Sequence, residues 1–343
     1  MIGQVIERRM AGQMREGIVL LDAVETRHEG ERRVTLFFAP KVEPAQIQPP
    51  KGAVLQAEMS VGGAPILVYS APEGRLAFQT PKGVIDVMPA EAEFTLMEGR
   101  DTIAAVRNGE DAATVLTWLS FHADQQRMTG AVILDRARPG TDPEFARALR
   151  DGLRESGLDI TVILLTSDQP LGYPDAPPEA HPFCVPEAPG KDRMEIPPPS
   201  PWDSPLAALS YYEIARHRFL AEARAVANID VHDLVATGPE TIFDSAVAAR
   251  GGLSPSSGGI AILGACAVVS RRALPIIAAF SSTRAVGDNA GALPRRNCPR
   301  MRSGACCEWA MHAPMRRARR GSIGIWHCAI RRDRFHGSCR NPR

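Results

Sequence analysis

Between residues 101 and 166 the chain alternates short apolar runs with amphipathic segments, and this alternation limits the fold more than any other feature. Residues 101–106 are an apolar run. Asn108-Gly109-Glu110-Asp111 then supplies capping and acidic residues for a helix start, and Val115, Trp118, Leu119 and His122 follow at helical spacing. Gly130 closes that unit. Residues 131–134 form a second apolar run ending at Asp135. Residues 142–156 predict a helix with Phe145, Leu149 and Leu153 on one face and Gly157 as its stop, and residues 160–165 predict a third strand. Strand, helix, strand, helix, strand predicts an α/β fold with parallel strands and crossover helices.

The flanking regions read differently. Residues 1–100 predict a β-rich N-terminal region of short strands and turns, with candidate strands at 33–38, 53–59, 64–69, 76–79 and 84–87. Residues 170–205 form a Pro-rich loop, a length that in compact domains is usually functional or mobile. Residues 206–225 predict a helix carrying Tyr211, Tyr212, Arg216, His217 and Arg218. Ala225-Val226-Ala227 then leads into Asn228-Ile229-Asp230-Val231-His232-Asp233, and residues 241–249 predict a last short helix.

Parallel sheets bind ligands beyond the carboxyl ends of their strands. Three such ends carry polar groups here: Arg107 and Asn108 with Glu110, Asp135, and Asp230 with His232 and Asp233. Converging acids with an imidazole suit a nucleotide diphosphate held through a divalent cation, which offsets phosphate charge. Arg107 suits a phosphate or ribose, and the amide of Asn108 a base or ribose. The same residue types also cap helices and make turns.

Ile103-Ala104-Ala105-Val106-Arg107-Asn108-Gly109-Glu110, then Trp118-Leu119 and His122, then Gly130 before a strand, resembles the opening of family 2-like glycosyltransferases. The segment 227–235 is similar to their metal-binding Asp-x-Asp element, and the resemblance covers roughly residues 101–235. It implies a GT-A-like, Rossmann-like central sheet over residues 101–250. The activity implied is transfer of a sugar, of the hexosyltransferase type, from a nucleotide-sugar donor to an acceptor hydroxyl. Arg107, Asn108, Glu110 and Asp135 would meet the nucleotide; Asp230, His232 and Asp233 would hold Mn²⁺ or Mg²⁺. The departures are specific: Gly109 is inserted, Thr117 stands in place of an acid, His232 replaces the second Asp, and Asp233 replaces a Glu. No residue is assigned as the base that an inverting displacement needs. A binding relative without transfer activity is the alternative within the same fold.

Residues 251–343 break with everything before them. They hold sixteen Arg, no Lys, six of the seven Cys and only three acids, Asp288, Glu308 and Asp333, so the near-neutral total of +1 joins an acidic body to a basic tail. One reading is an Arg-rich nucleic-acid-binding extension, although aromatic interleaving is sparse and nucleic acid is not the expected partner. A zinc site is a second reading, but no Cys-x-x-Cys pair is present. The third, which the composition favours, is an irregular tail translated out of frame. No stretch has the length of a membrane span or the pattern of a secretory leader, which predicts a cytoplasmic protein.

Overall fold

The computed structural model describes residues 3–185, 187–235, 239–248, 253–255 and 261–264. In chain order the strands are β1 (Gln4–Arg9), β2 (Gln13–Arg15), β3 (Ile18–His28), β4 (Glu31–Phe38), β5 (Val54–Val61), β6 (Ala64–Ser70), β7 (Leu76–Thr80), β8 (Gly83–Val87) and β9 (Ala90–Glu91). Then come β10 (Asp101–Arg107), α1 (Ala112–Gln126), β11 (Gly130–Asp135), α2 (Phe145–Ser156) and β12 (Thr161–Thr166). The rest are α3 (Ala208–Ala215), β13 (Ala225–Asn228), α4 (Ile242–Ala248), β14 (Leu253–Pro255) and β15 (Ala261–Gly264).

The molecule is mixed α/β. Its main sheet has the order β1-β12-β11-β10-β13-β15-β14. The first five of these are mutually parallel, and β15 and β14 close the sheet in antiparallel pairing. A second sheet, β2-β3-β4-β6-β5, is antiparallel, with the short β9 parallel to β3, and β7 and β8 form a separate hairpin.

Burial on both faces explains the unbroken apolar runs of β10, β11 and β12. One face, with Ile103, Ala105, Ile133 and Leu164, packs on Trp118 and Leu119 of α1, Leu149 and Leu153 of α2, and Phe243 of α4. The opposite face, with Ala104, Val106, Leu134 and Leu165, packs on Tyr211 and Ile214 of α3 and on Leu21, Phe37 and Ile66 of the antiparallel sheet. The two sheets thus share one core. Asp22 and Arg218 meet inside it at 3.1 Å, and Arg218 also donates to the Arg9 carbonyl.

Several expectations change in detail. β1 lies within residues 1–100 yet forms the edge of the parallel sheet, through register pairs from Gln4↔Thr161 to Arg9↔Thr166. The helix expected over 206–225 stops at Ala215 and continues as a π-helical turn over Arg216–Leu220, which places Ala225 at the start of β13. Strands β14 and β15 extend the sheet past residue 250, where the irregular tail was expected to begin. The remainder of the Arg- and Cys-rich tail lies outside the described residues. Among the described residues no helix is long and apolar enough to cross a membrane.

Candidate functional site

The order of the parallel strands reverses at β10. From β10 the chain moves through α1 to β11 on one side and β12 beyond it, while β13 pairs with β10 on the other side. This makes a topological switch point, and the crevice outside the carboxyl ends of β10 and β13 is where such sheets take ligands. Gly109, at φ +109°, bends the chain after β10 in a conformation that a side chain would strain. Asp111 then caps α1 by accepting from the Thr114 N–H at 2.7 Å, which holds its carboxyl below the usual carboxylate range.

Two turns meet over the crevice. Glu110 follows β10; its Oε1 lies 2.9 Å from Nε2 of His232, and its Oε2 accepts from the Asn108 N–H at 2.6 Å. After β13, Asp230 accepts from the His232 N–H at 3.1 Å, closing an Asx turn. The Trp118 indole donates to the Asp233 carbonyl at 3.2 Å and anchors that turn on α1. Burial raises the Asp233 carboxyl above its ordinary value, and the neighbouring Asp230 charge adds to this. Tyr212, on α3, is likewise raised by burial and then by Asp230.

The pleat divides the remaining residues. Arg107 projects to the α1/α2 side with Ile103 and Ala105. There its Nη1 donates to both oxygens of Asp135 at 3.0 and 3.1 Å, its Nη2 pairs with Asp142, and its Nε donates to the Glu110 carbonyl at 2.6 Å. The guanidinium lies 3.6 Å from the centroid of the Phe145 ring. Arg107 and Asp135, read as nucleotide contacts, therefore form a buried cluster beneath the rim. Asn108 stands on the rim itself, where its Oδ1 accepts from Arg136 Nη1 at 2.9 Å. His122 is separate from both turns: fully buried, it faces the Trp118 carbonyl through Nδ1 at 3.0 Å and touches Trp118 and Phe121 edge-on. Burial lowers its pKa.

Among the described residues no group of three or more His, Cys, Asp or Glu is arranged to hold a metal ion. The arrangement at the crevice is a carboxylate pair, Asp230 and Asp233, with the Asp230 charge close enough to add to the burial that raises Asp233. A pair suits a divalent cation that is completed by ligand phosphates, the usual mode for Mg²⁺. His232 is turned to Glu110 instead of to that pair. Arg136 and Arg138 escaped the sequence reading, though both follow the apolar run of β11; the parity that puts Arg136 on the rim face was the available signal. No protein-family model, curated protein or solved structure matches the chain.

Proposed function

We propose that the crevice between β10 and β13 binds a nucleotide-sugar and that the protein is a GT-A-like glycosyltransferase. The observation that carries this reading is the carboxylate pair Asp230 and Asp233, placed by one Asx turn at a topological switch point. Asp230 and Asp233 would hold Mg²⁺ or Mn²⁺, whose chemistry there is to neutralise charge developing on the diphosphate leaving group. Asn108 presents its amide at the rim for a ribose or base, and Glu110 fixes the turn that carries it. The Trp118–Asp233 hydrogen bond holds the acidic turn against α1, so the carboxylates are positioned before a ligand arrives.

One observation favours a second reading, binding without transfer. His232, which replaces an acid of the resembled motif, is engaged by Glu110 at 2.9 Å and leaves only two carboxylates for the cation.

Calorimetric titration with uridine diphosphate, with and without Mn²⁺, tests the binding reading. Metal-dependent binding that is lost in Asp230→Asn is the expected result; metal-independent binding indifferent to Asp230 would overturn it. Release of free sugar from a nucleotide-sugar then separates transfer or hydrolysis from binding alone.

A further inference from the structure

Arg136 is a mostly buried cation whose hydrogen bonds go to neutral acceptors and whose carboxylate partner stands beyond hydrogen-bonding distance. Its side chain is 11% exposed, and the nearest carboxylate, Glu179, stands 3.7 Å away. Within hydrogen-bonding distance it has only neutral acceptors, the Ser204 carbonyl at 2.7 Å and Asn108 Oδ1 at 2.9 Å. The other buried guanidinium groups are compensated differently: Arg107 by Asp135 at 3.0 Å, Arg32 by Glu25 at 2.8 Å and Arg218 by Asp22 at 3.1 Å. Burial pulls the pKa of Arg136 down, against the smaller opposing effect of the Glu179 and Asp203 carboxylates. A desolvated guanidinium gains most from an oxyanion, which it can grip through two parallel N–H bonds.

The Ser204 carbonyl belongs to the Pro-rich strap between residues 172 and 206, whose two ends pair at Gly172↔Leu206. Arg138 holds the same part of the strap: it donates to Asp203 Oδ2 at 2.7 Å, and its guanidinium lies 6.0 Å from the Trp202 ring. Asp203 also accepts from the Ser200 hydroxyl at 2.6 Å. Arg136 touches Asn108 and so adjoins the crevice directly, and Arg138 stands two residues farther on. Two cations therefore border the proposed diphosphate crevice and engage strap acceptors, one a carbonyl and one a carboxylate.

We propose that Arg136 and Arg138 are the receptor for the phosphoryl oxygens of the bound diphosphate, which take the places of Ser204 and Asp203. This rests on the nucleotide reading of the crevice and adds to it: phosphate capture loosens the strap at residues 203–204.

The test uses the full chain and inorganic pyrophosphate at low ionic strength without divalent metal, beside uridine diphosphate and uridine. Wild type should bind pyrophosphate. Arg136→Gln should lose about tenfold or more in affinity and Arg138→Gln several-fold, while Asp203→Asn, which removes the competing carboxylate, should bind several-fold tighter. Folding of each variant is checked by its melting temperature. If Arg136→Gln does not fold, the exposed changes Arg138→Gln and Asp203→Asn carry the test. Unchanged affinity in both arginine variants, or no gain in Asp203→Asn, overturns the proposal. Uridine diphosphate binding that needs Asp230 but ignores Arg136 and Arg138 would retain the nucleotide reading and sink this one. Pyrophosphate binding that needs Arg136, with uridine diphosphate binding no tighter and Asp230→Asn without effect, would do the reverse.

Discussion

His232 reaches across the switch point to Glu110, with 2.9 Å between its Nε2 and the carboxylate, and so joins the turn after β13 to the turn after β10. The two partners are unequal. The His232 side chain is 67% exposed and that of Glu110 only 8%. Glu110 also accepts from the Asn108 N–H, so it organises its own turn as well as the contact. His232→Ala should therefore cost well under about 1 kcal/mol, as exposed pairs do. Glu110→Ala should cost about 1–2 kcal/mol, because a backbone donor loses its partner. Urea denaturation of the two variants checks the asymmetry; equal costs would count against it.

Arg107 invites a sharper prediction. Its guanidinium is 2% exposed and bonded to Asp135 and Asp142. Arg107→Ala would strand the Asp135 carboxylate in the core and expose the Phe145 ring, so a loss of about 3–5 kcal/mol is expected. The double change Arg107→Met with Asp135→Leu should recover much of that, since paired removal leaves no buried charge uncompensated. If Arg107 acted chiefly on a ligand, the single variant would melt like wild type and lose only binding.

The same residue shows where sequence reading stops. The units β10, α1, β11, α2 and β12 were legible because their apolar spacing is set by burial on both sheet faces: Val115, Trp118, Leu119 and His122 are all buried, as are Phe145, Leu149 and Leu153. That Arg107 and Asn108 end a strand was legible too. Their separation onto opposite faces follows from the two-residue pleat, yet the partners that occupy Arg107 arrive from Asp142 and Phe145, far along the chain. β1 was hidden because an edge strand needs few apolar residues; Gln4–Arg9 buries only Val5. β3, the longest strand, was hidden by Asp22, a charge inside an apolar run that makes sense only once Arg218 is beside it. Nothing near Arg136 in the chain marked it, because the strap that covers it supplies Ser204 from 68 residues away.

A pH dependence follows from His217. Its Nε2 lies 2.7 Å from Arg216 Nη2 and its ring packs edge-on against Phe37 at 5.4 Å. Burial first, and then the Arg216 charge, lower its pKa from 6.5 to about 3. Between these values the unfolded chain binds a proton that the folded protein refuses. The stability present above pH 6.5 is therefore lost as pH falls towards 3, at up to about 1.4 kcal/mol per pH unit. His217→Gln should flatten this decline between about pH 6 and 4.5, above the range in which most carboxylates titrate. The buried His122, shifted in the same direction, leaves some slope behind. Denaturation midpoints across that window measure the difference, and superimposable pH profiles for wild type and variant would refute it.

The strap is closed at its base by Gly172, and its geometry there admits no side chain. A Cβ on Gly172 would stand 2.6 Å from the Pro201 carbonyl and 2.8 Å from that of Ser204, and would also meet the Ser204 hydroxyl. Backbone atoms cannot give way as a flexible side chain does, so the two strands of the strap base must separate. Three hydrogen bonds are exposed to that separation: Gly172 N–H to the Pro201 carbonyl at 3.0 Å, Tyr173 N–H to Pro205 at 3.0 Å, and the Ser204 hydroxyl to the Tyr173 carbonyl at 2.9 Å. Gly172→Ala should cost about 1–3 kcal/mol by overpacking. The loss should concentrate in the strap, because the parallel sheet beneath has its own core. Limited proteolysis should then cut within residues 173–205 several-fold faster in Gly172→Ala than in wild type, while hydrogen exchange in β10 and β11 stays slow. Uniform acceleration of exchange across the whole molecule would show instead that the strap base belongs to the same cooperative unit as the sheet.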